Sequence, residues 1–442
     1  MIERTIYESQ FIKLFFEKLD LQTDYCILRG YEKLPQTTGN DIDIMISRCN
    51  LDEIEKIIEE LGWIWIKKHD EDGFLSYVCW GMYDNTIAHI QLDFWTELRW
   101  RGLRWANSDL ILKSRRKYND FWIAGAGSEA YITCLKELFG RGRIKKKYYN
   151  HIQRLANDKQ EEFIENGIEI LGEKLVLQIL ENILKNNFIN IDKLAGKIKR
   201  KLMKSNYPVY VKESLKRCKN YCTKCLRPRG KLLAFVGPDG SGKTTIINAV
   251  QKSMEGLFSD SKVFHMRYNI LPELKTGMGI SSMNGKITAA DEESDHKEET
   301  KRSFLSKFAS WVIVIYYTVE FVIGNIWIYK LKKDDTLILY DRYYYDYFWQ
   351  PTTRDLIFPC RHFLIKLVSK PDLLIHLNAK AEDVYSRKKE LKIAEIKKQN
   401  EYIERLASEM DNTITINTSG KELIQVEKET IEMCIERIKI LF

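Results

Sequence analysis

Residues 237–245 read Gly-Pro-Asp-Gly-Ser-Gly-Lys-Thr-Thr. Gly237, Gly242, Lys243 and Thr244 fall on the pattern G-x-x-x-x-G-K-[ST], a loop suited to holding phosphate. Glycines let successive N–H groups turn toward phosphate oxygens with no Cβ in the way, and the helix N-terminus that follows adds a positive dipole end. Lys243 would neutralise β- and γ-phosphate charge and Thr244 would offer its hydroxyl to Mg²⁺; Asp239, Gly240, Ser241 and Thr245 complete the cradle. A second pair, Asp341-Arg342, ends the apolar run Leu337–Tyr340. The acid can hold a metal-bound water or accept the proton of an attacking oxygen, and the arginine can clamp an anion with its planar fork. A third group, Arg387-Lys388-Lys389-Glu390, follows the apolar run Leu373–Leu377. As a lid over phosphates, Arg387 would lower the charge of a transition state and exclude water. A fourth lies far upstream, where Asp41 and Asp43 alternate on one strand and share a face, and Asp93 ends the run His89–Leu92. Three carboxylates on adjacent strands can hold two Mg²⁺ ions and position a triphosphate for attack by a hydroxyl. Each group also has a plainer reading, as a strand-end ion pair, a solvated lysine-rich helix or surface acids.

The elements that must position these groups follow from hydrophobic spacing. Leu232–Val236 suits a buried parallel strand and Thr245–Val250 the helix behind the loop. Downstream, strands are expected at Lys262–Met266, Thr336–Tyr340, Leu373–Leu377 and Thr413–Ile416. Helices are expected around Pro359–Val368 and at Ala381–Leu391, Ala394–Met410 and Leu423–Ile440. Strands alternating with helices predict a parallel sheet covered on both faces. Lys275–Thr300 is polar and aperiodic, either a mobile active-site loop or a disordered insertion. Trp311–Trp327 is almost continuously apolar but contains Glu320 and Asn325, and reads as a buried core helix. In the first part of the chain a helix over 1–23 leads into strands at Tyr25–Arg29, Asp41–Ser47, Trp63–Lys67, Leu75–Trp80 and Thr86–Phe94, with a helix at Leu51–Leu61. The pattern turns helical from Ser128 to about Leu184. Residues 186–230 form a basic bridge, a linker or solvated helix face that could also dock on phosphates or lipid headgroups. The organisation expected is an α+β domain over 1–127, a helical appendage over 128–187, a basic linker over 188–230 and an α/β domain over 231–442.

Bulk properties bound the rest. The 442 residues, 44% of them hydrophobic, are enough for two or three cores. The first twenty residues carry charges throughout, which is unlike a signal peptide, and nine cysteines without a secreted-type framework fit a reducing cytoplasm. Net charge is +8, which attracts ATP, a nucleic acid backbone or an anionic membrane surface. Cys218, Cys222 and Cys225 have the spacing of a radical-SAM cluster motif but stand in the basic bridge, where incidental cysteines are the favoured reading.

The loop, the Asp341-Arg342-Tyr343 triplet, the Pro371-Asp372-Leu373 strand and the arginine-bearing helix together resemble the thymidylate kinase family over about Lys231–Phe442. The resemblance implies a nucleoside monophosphate kinase fold, ATP and Mg²⁺ as cofactors, Asp239 near the acceptor and Arg342 on an acceptor phosphate. The chain departs from that family after the triplet. Tyr344-Tyr345-Asp346-Tyr347-Phe348 and Pro351–Arg354 replace the segment that reads the nucleobase, and Tyr316, Tyr317 and Glu320 are unlike the usual base pocket. It looks like the divergent members met in bacterial surface-polysaccharide gene sets, whose acceptor would be a sugar, polyol or sugar phosphate. Residues 1–185 resemble the nucleotidyltransferase superfamily, through Gly30, Gly39, Asp41-x-Asp43 and Asp93. Tyr31 stands where that family keeps a small residue, so the domain is expected either to transfer a nucleotide or to bind substrate only. Arg99, Trp100, Arg101 and Trp105 are candidates for the floor of its pocket. The leading expectation is an ATP- and Mg²⁺-dependent cytoplasmic kinase with a nucleotidyltransferase-like partner domain. The rivals are a true dTMP kinase with an accessory domain, and an RNA- or protein-modifying nucleotidyltransferase with a regulatory P-loop domain.

Overall fold

Alternating burial organises the first unit, Met1–Cys222, around one mixed sheet. The computed structural model describes residues 2–37, 39, 41–47, 51–83, 86–268, 270–272, 304–349, 360–389 and 391–442. The segment 275–300, Pro351–Arg354, Pro359 and Glu390 lie outside the described residues. α1 (Ile2–Gln22) buries Phe11, Ile12, Phe15, Phe16 and Leu19, one helical stripe. β1 (Tyr25–Ile27), β2 (Ile42–Ile46), α2 (Leu51–Glu60), β3 (Ile64–Glu71), β4 (Phe74–Tyr83) and β5 (Thr86–Trp95) lie on the expected runs, with shifted ends. Two- and three-residue strands cannot display alternation, and sequence spacing does not reveal β6 (Arg99–Trp100), β7 (Leu103–Arg104), β8 (Arg116–Tyr118) or β9 (Phe121–Ile123), nor the short α3 (Ser108–Lys113). The sheet order is β3-β4-β5-β2-β1-β9-β8, with β2 parallel to β5 and β1 parallel to β9. On β2, Ile42, Ile44 and Ile46 join the core under α1 and α2, while Met45 joins the core on the opposite face. The β2–β5 register sets Asp43 opposite Asp93.

The helices α4 (Ala126–Arg141), α5 (Tyr149–Asp158), α6 (Gln160–Leu171), α7 (Glu173–Leu184) and α8 (Phe188–Ser205) cover that opposite face. This corrects the expected linker over 188–230. Phe188, Ile191, Ala195, Ile198 and Leu202 recur every three or four residues and are buried in the same core. The many lysines of α8 sit on its outer face and mask that stripe in the sequence. α9 (Tyr207–Leu226) follows, and carries Cys218, Cys222 and Cys225 on a helix rather than on a cluster-binding loop. The described cysteines are all free.

The second unit, Thr223–Phe442, is an α/β fold with five parallel strands flanked by helices. β10 (Lys231–Val236), fully buried, leads to α10 (Lys243–Ser253); then come β11 (Asp260–His265), α11 (Phe304–Lys333), β12 (Thr336–Asp341), α12 (Arg361–Leu367), β13 (Leu373–Asn378), α13 (Ala381–Arg387), α14 (Ile393–Ser408), β14 (Thr413–Asn417) and α15 (Leu423–Leu441). The order β11-β12-β10-β13-β14 puts β10 at the centre. The connections leaving the adjacent strands β10 and β13 run to opposite sides, to β11 and to β14, so the carboxyl ends of these two strands form a topological switch point, where open parallel sheets bind ligands. α11 departs from the expected buried helix. Val314, Tyr317, Phe321, Ile328 and Leu331 enter the core, but Val312, Ile315, Val319 and Ile326 are exposed. Among the described residues, Trp311–Lys333 is the one stretch of helix long and apolar enough to cross a membrane. Its acid is accounted for: Glu320 is fully buried, pairs with Arg267 at 2.8 Å and accepts from the Ile270 N–H. Asn325 accepts from the Ser369 N–H and donates to the Leu367 carbonyl.

Candidate functional site

In the second unit the glycine loop joins β10 to α10 at the switch point. Gly237, Gly240 and Gly242 have φ of 154°, 92° and 91°, which a side chain resists. A Cβ on Gly237 would also meet the Leu377 carbonyl oxygen at 2.7 Å. Lys243, the first residue of α10, is buried and turned onto its own loop: Nζ donates to the Gly237 and Pro238 carbonyls at 2.8 and 2.9 Å and lies 3.6 Å from Asp239. Burial lowers its pKa, against the pull of Asp239 and Asp346.

The second motif meets the first here. Thr244 Oγ1 donates to Asp341 Oδ2 at 3.1 Å. Asp341 Oδ1 is buried and has no hydrogen-bonding partner among the described residues. A hydroxyl and a carboxylate with a spare oxygen are hard donors of the kind Mg²⁺ takes, so this pair fits that ion. Arg342, in the left-handed region at φ 61°, donates to Asp239. Burial pushes the Asp239 carboxyl up, but Lys243 and Arg342 hold it below the usual range. Arg387, exposed on the last turn of α13, reaches the Gly240 carbonyl at 3.4 Å and the Thr418 carbonyl at 3.4 Å. Lys243, Thr244, Asp239, Asp341, Arg342 and Arg387 therefore come together around the loop. Ser241 is buried, its hydroxyl without a partner among the described residues, while Thr245 is exposed.

Two further residues join the site without a sequence motif. His265 ends β11 and its Nδ1 lies 3.3 Å from Asp341 Oδ2; its one signal is its place at a strand end. Asp346 is buried beside Lys243 and Arg342, its Oδ1 without a hydrogen-bonding partner among the described residues, and burial pushes its carboxyl up to about 7. Its signal is a lone acid in the aromatic run Tyr343–Phe348.

In the first unit, Asp41, Asp43 and Asp93 do converge, each offering an oxygen within 4.8 Å of the others. They differ in state. Burial opposes the Asp43 charge, but Lys136 and Arg29 pull its pKa down. Burial raises Asp93, only partly offset by Ser76 and Gln91. Partial desolvation, then Asp43 and Asp93, raise Asp41. Asp43 is saturated: Lys136 Nζ donates to both oxygens at 3.0 and 2.8 Å, Trp95 Nε1 to Oδ1 at 3.1 Å and Arg29 Nε to Oδ2 at 3.0 Å. The three offer one oxygen each to a single divalent ion, which would have to displace one of the present donors to Asp43. Two ions, as expected from the sequence, would need more than the one oxygen from each residue that converges here. Lys136 itself was hidden as a single lysine within the apolar run of α4. Tyr31, which stands where the resembled family keeps a small residue, is buried and donates to the buried Glu129, which also pairs with His151 at 2.8 Å. Beside Asp43 lies a cavity of about 190 Å³ bordered by Trp95, Arg99, Trp100 and Trp105. Arg101 does not line it; its guanidinium bonds the Tyr210 hydroxyl at 2.8 Å.

No protein-family model matches the chain, and no curated protein matches it. Among solved structures, it is similar to a thymidylate kinase from Ehrlichia chaffeensis, with TM-score 0.29 and 14% identity over 46% of this chain and 98% of that one. It is similar also to a deoxyadenosine kinase from M. mycoides with bound dATP, with TM-score 0.28 and 14% identity over 46% of this chain and 99% of that one. Likeness at that level carries no weight for activity.

Proposed function

We propose that the second unit transfers the γ-phosphoryl group of ATP to a small-molecule acceptor, a sugar, polyol or sugar phosphate, as a surface-polysaccharide precursor would require. The first unit is a nucleotidyltransferase-like domain that activates the phosphorylated product or binds the same substrate. The observation that carries the kinase reading is the 3.1 Å contact between Thr244 and Asp341 beside the glycine loop. A loop glycine pattern alone gives phosphate binding; an acid from the neighbouring strand, touching the loop threonine, adds the partner that phosphoryl transfer needs. Mg²⁺ on Thr244 and Asp341 would offset the charge of the phosphates. Lys243 exchanges its two loop carbonyls for phosphate oxygens. Arg342, held by Asp239, faces an anionic acceptor group, and Arg387 closes over the loop and excludes water.

The replacement of the base-reading segment by Tyr344–Phe348 favours a changed acceptor. The test is ATP turnover with Mg²⁺ against dTMP and a panel of sugars, polyols and their phosphates, with phosphorus NMR of the product. A phosphorylated carbohydrate supports the reading. Turnover with dTMP alone replaces it with a nucleotide kinase, and salt-dependent RNA binding without turnover would favour the RNA-modifying alternative.

A further inference from the structure

One side of α11 packs on the second sheet and the other side is open. Val312, Ile315, Val319, Val322, Ile323 and Ile326 fall within about a third of the helix circumference and run along it for about 21 Å. All six are exposed, Ile315 by 57% and Ile326 by 75%. Single apolar side chains on a surface need no explanation, but a contiguous stripe marks an interaction site. Its edges indicate the occupant. Trp311 and Tyr329 lie along one edge, Tyr316 and Trp327 along the other, and none of the four is buried. Such rings, apolar in body and polar at one tip, are enriched where hydrocarbon meets lipid headgroups.

Charge narrows the choice further. Lys330 and Lys333 continue the arc of the stripe past Ile326. Tyr329 donates to the Cys225 carbonyl at 2.7 Å, which brings the exposed Leu226 and Arg227 to the same end. On the flank, Asn325 bonds the Leu367 carbonyl and the Ser369 N–H, so α12 adds the exposed Phe363, Lys366 and Leu367. The carboxylates that adjoin these segments in sequence are Asp334, Asp335 and Asp372. Arg229 takes Asp335 at 3.1 Å, Lys332 takes Asp372 at 2.7 Å, and Lys370 lies 3.9 Å from Asp411. That leaves Asp334 against Arg227, Lys330, Lys333 and Lys366, a positive surplus. Within α11 the one carboxylate, Glu320, is buried on the core side against Arg267. A second copy laid stripe on stripe would bring these lysines no carboxylate from its own α11, whereas anionic headgroups supply the countercharge. Nor does α11 span a bilayer. Its inner face holds Val314, Phe321 and Ile328 in the core, and carrying the Glu320–Arg267 pair into hydrocarbon is costly. We propose that this face of the second unit docks on an anionic membrane surface, with the stripe at the boundary of headgroups and acyl chains and the lysines on the headgroups. The inference is independent of the kinase reading.

The test is flotation of the full chain with vesicles of phosphatidylcholine alone and of phosphatidylcholine mixed with phosphatidylglycerol. The mixed vesicles should bind at least about tenfold tighter at low salt, and added salt should weaken that preference. Lys330→Ala should lower binding to the mixed vesicles about fivefold and leave binding to the neutral ones unchanged. Ile315→Ser with Ile326→Ser should lose at least about tenfold on the mixed vesicles. Both side chains point away from the core, so the far-ultraviolet circular dichroism spectrum should stay that of the wild type. Lys243→Ala should float as the wild type does, so a failed kinase reading leaves this result unmoved. Absence of wild-type flotation with the mixed vesicles, or undiminished flotation of the double serine variant, would overturn the inference. A dimer in sedimentation velocity that the serine variant dissociates, without vesicle binding, would overturn it too and assign the stripe to a second copy. Equal binding to the two vesicle types would overturn the part given to the lysines.

Discussion

Lys243 illustrates how a site can be assembled and yet hold its reactive charge in reserve. Its ammonium rests on two carbonyls of its own loop, so replacing it removes little that holds the fold together. Lys243→Ala and Asp341→Ala should each reduce ATP turnover at least about a hundredfold, with an unchanged far-ultraviolet circular dichroism spectrum. Undiminished turnover in either folded variant would remove the kinase assignment. Asp346 gives a prediction of opposite character. Its carboxyl is raised from 3.8 to about 7 by burial, so the folded state suffers no penalty below the unfolded value. Stability falls as the pH climbs through the folded one. Asp346→Asn should therefore raise the melting temperature more at about pH 8.5 than at about pH 5, read by thermal unfolding at the two values. The residues legible in the sequence were those in local motifs: Gly237 to Thr244, Asp341, Arg342, and the alternating Asp41 and Asp43. Lys136, His265 and Asp346 were not, because each acquires its role only when a distant strand or helix brings it to the carboxylates.

Helix α8 shows how charge can conceal a core element. Ile198 is fully buried among the helices that cover the first sheet. Ile198→Ala should cost about 2–5 kcal/mol, whereas Lys193→Ala on the exposed side should stay within about 0.5 kcal/mol, both read by denaturant unfolding. A true linker would show no effect from either. The longer strands β3 to β5 and β10 to β14 were visible because apolar runs of five to ten residues carry their own period. The pairs β6–β7 and β8–β9 were not, because two or three residues have none and are fixed by their partners. α11 was legible as a helix but not in its burial. Apolar composition predicts a core, yet the face bearing Val312, Ile315, Val319 and Ile326 points outward.

Across the whole molecule, Met1–Cys222 and Thr223–Phe442 have separate cores. Calorimetry should resolve two unfolding transitions. ATP with Mg²⁺ should move only one of them, by about 2.7 kcal/mol at a hundred times its Kd. A single transition shifted as a whole would show that the units unfold together. The strand order of the second unit has a consequence for how the chain reaches its native state. β10 is made first and sits at the centre, but its neighbours pair only when Ile338 and Leu374 have been synthesised, opposite Leu232 and Ala234. Until then a strand apolar from Leu232 to Val236 waits with both edges open, and closing those long loops is slow. A nascent chain that has emerged only as far as β11 therefore carries its glycine loop on a strand with neither neighbour in place, the stage at which unpaired strand edges are most exposed to aggregation.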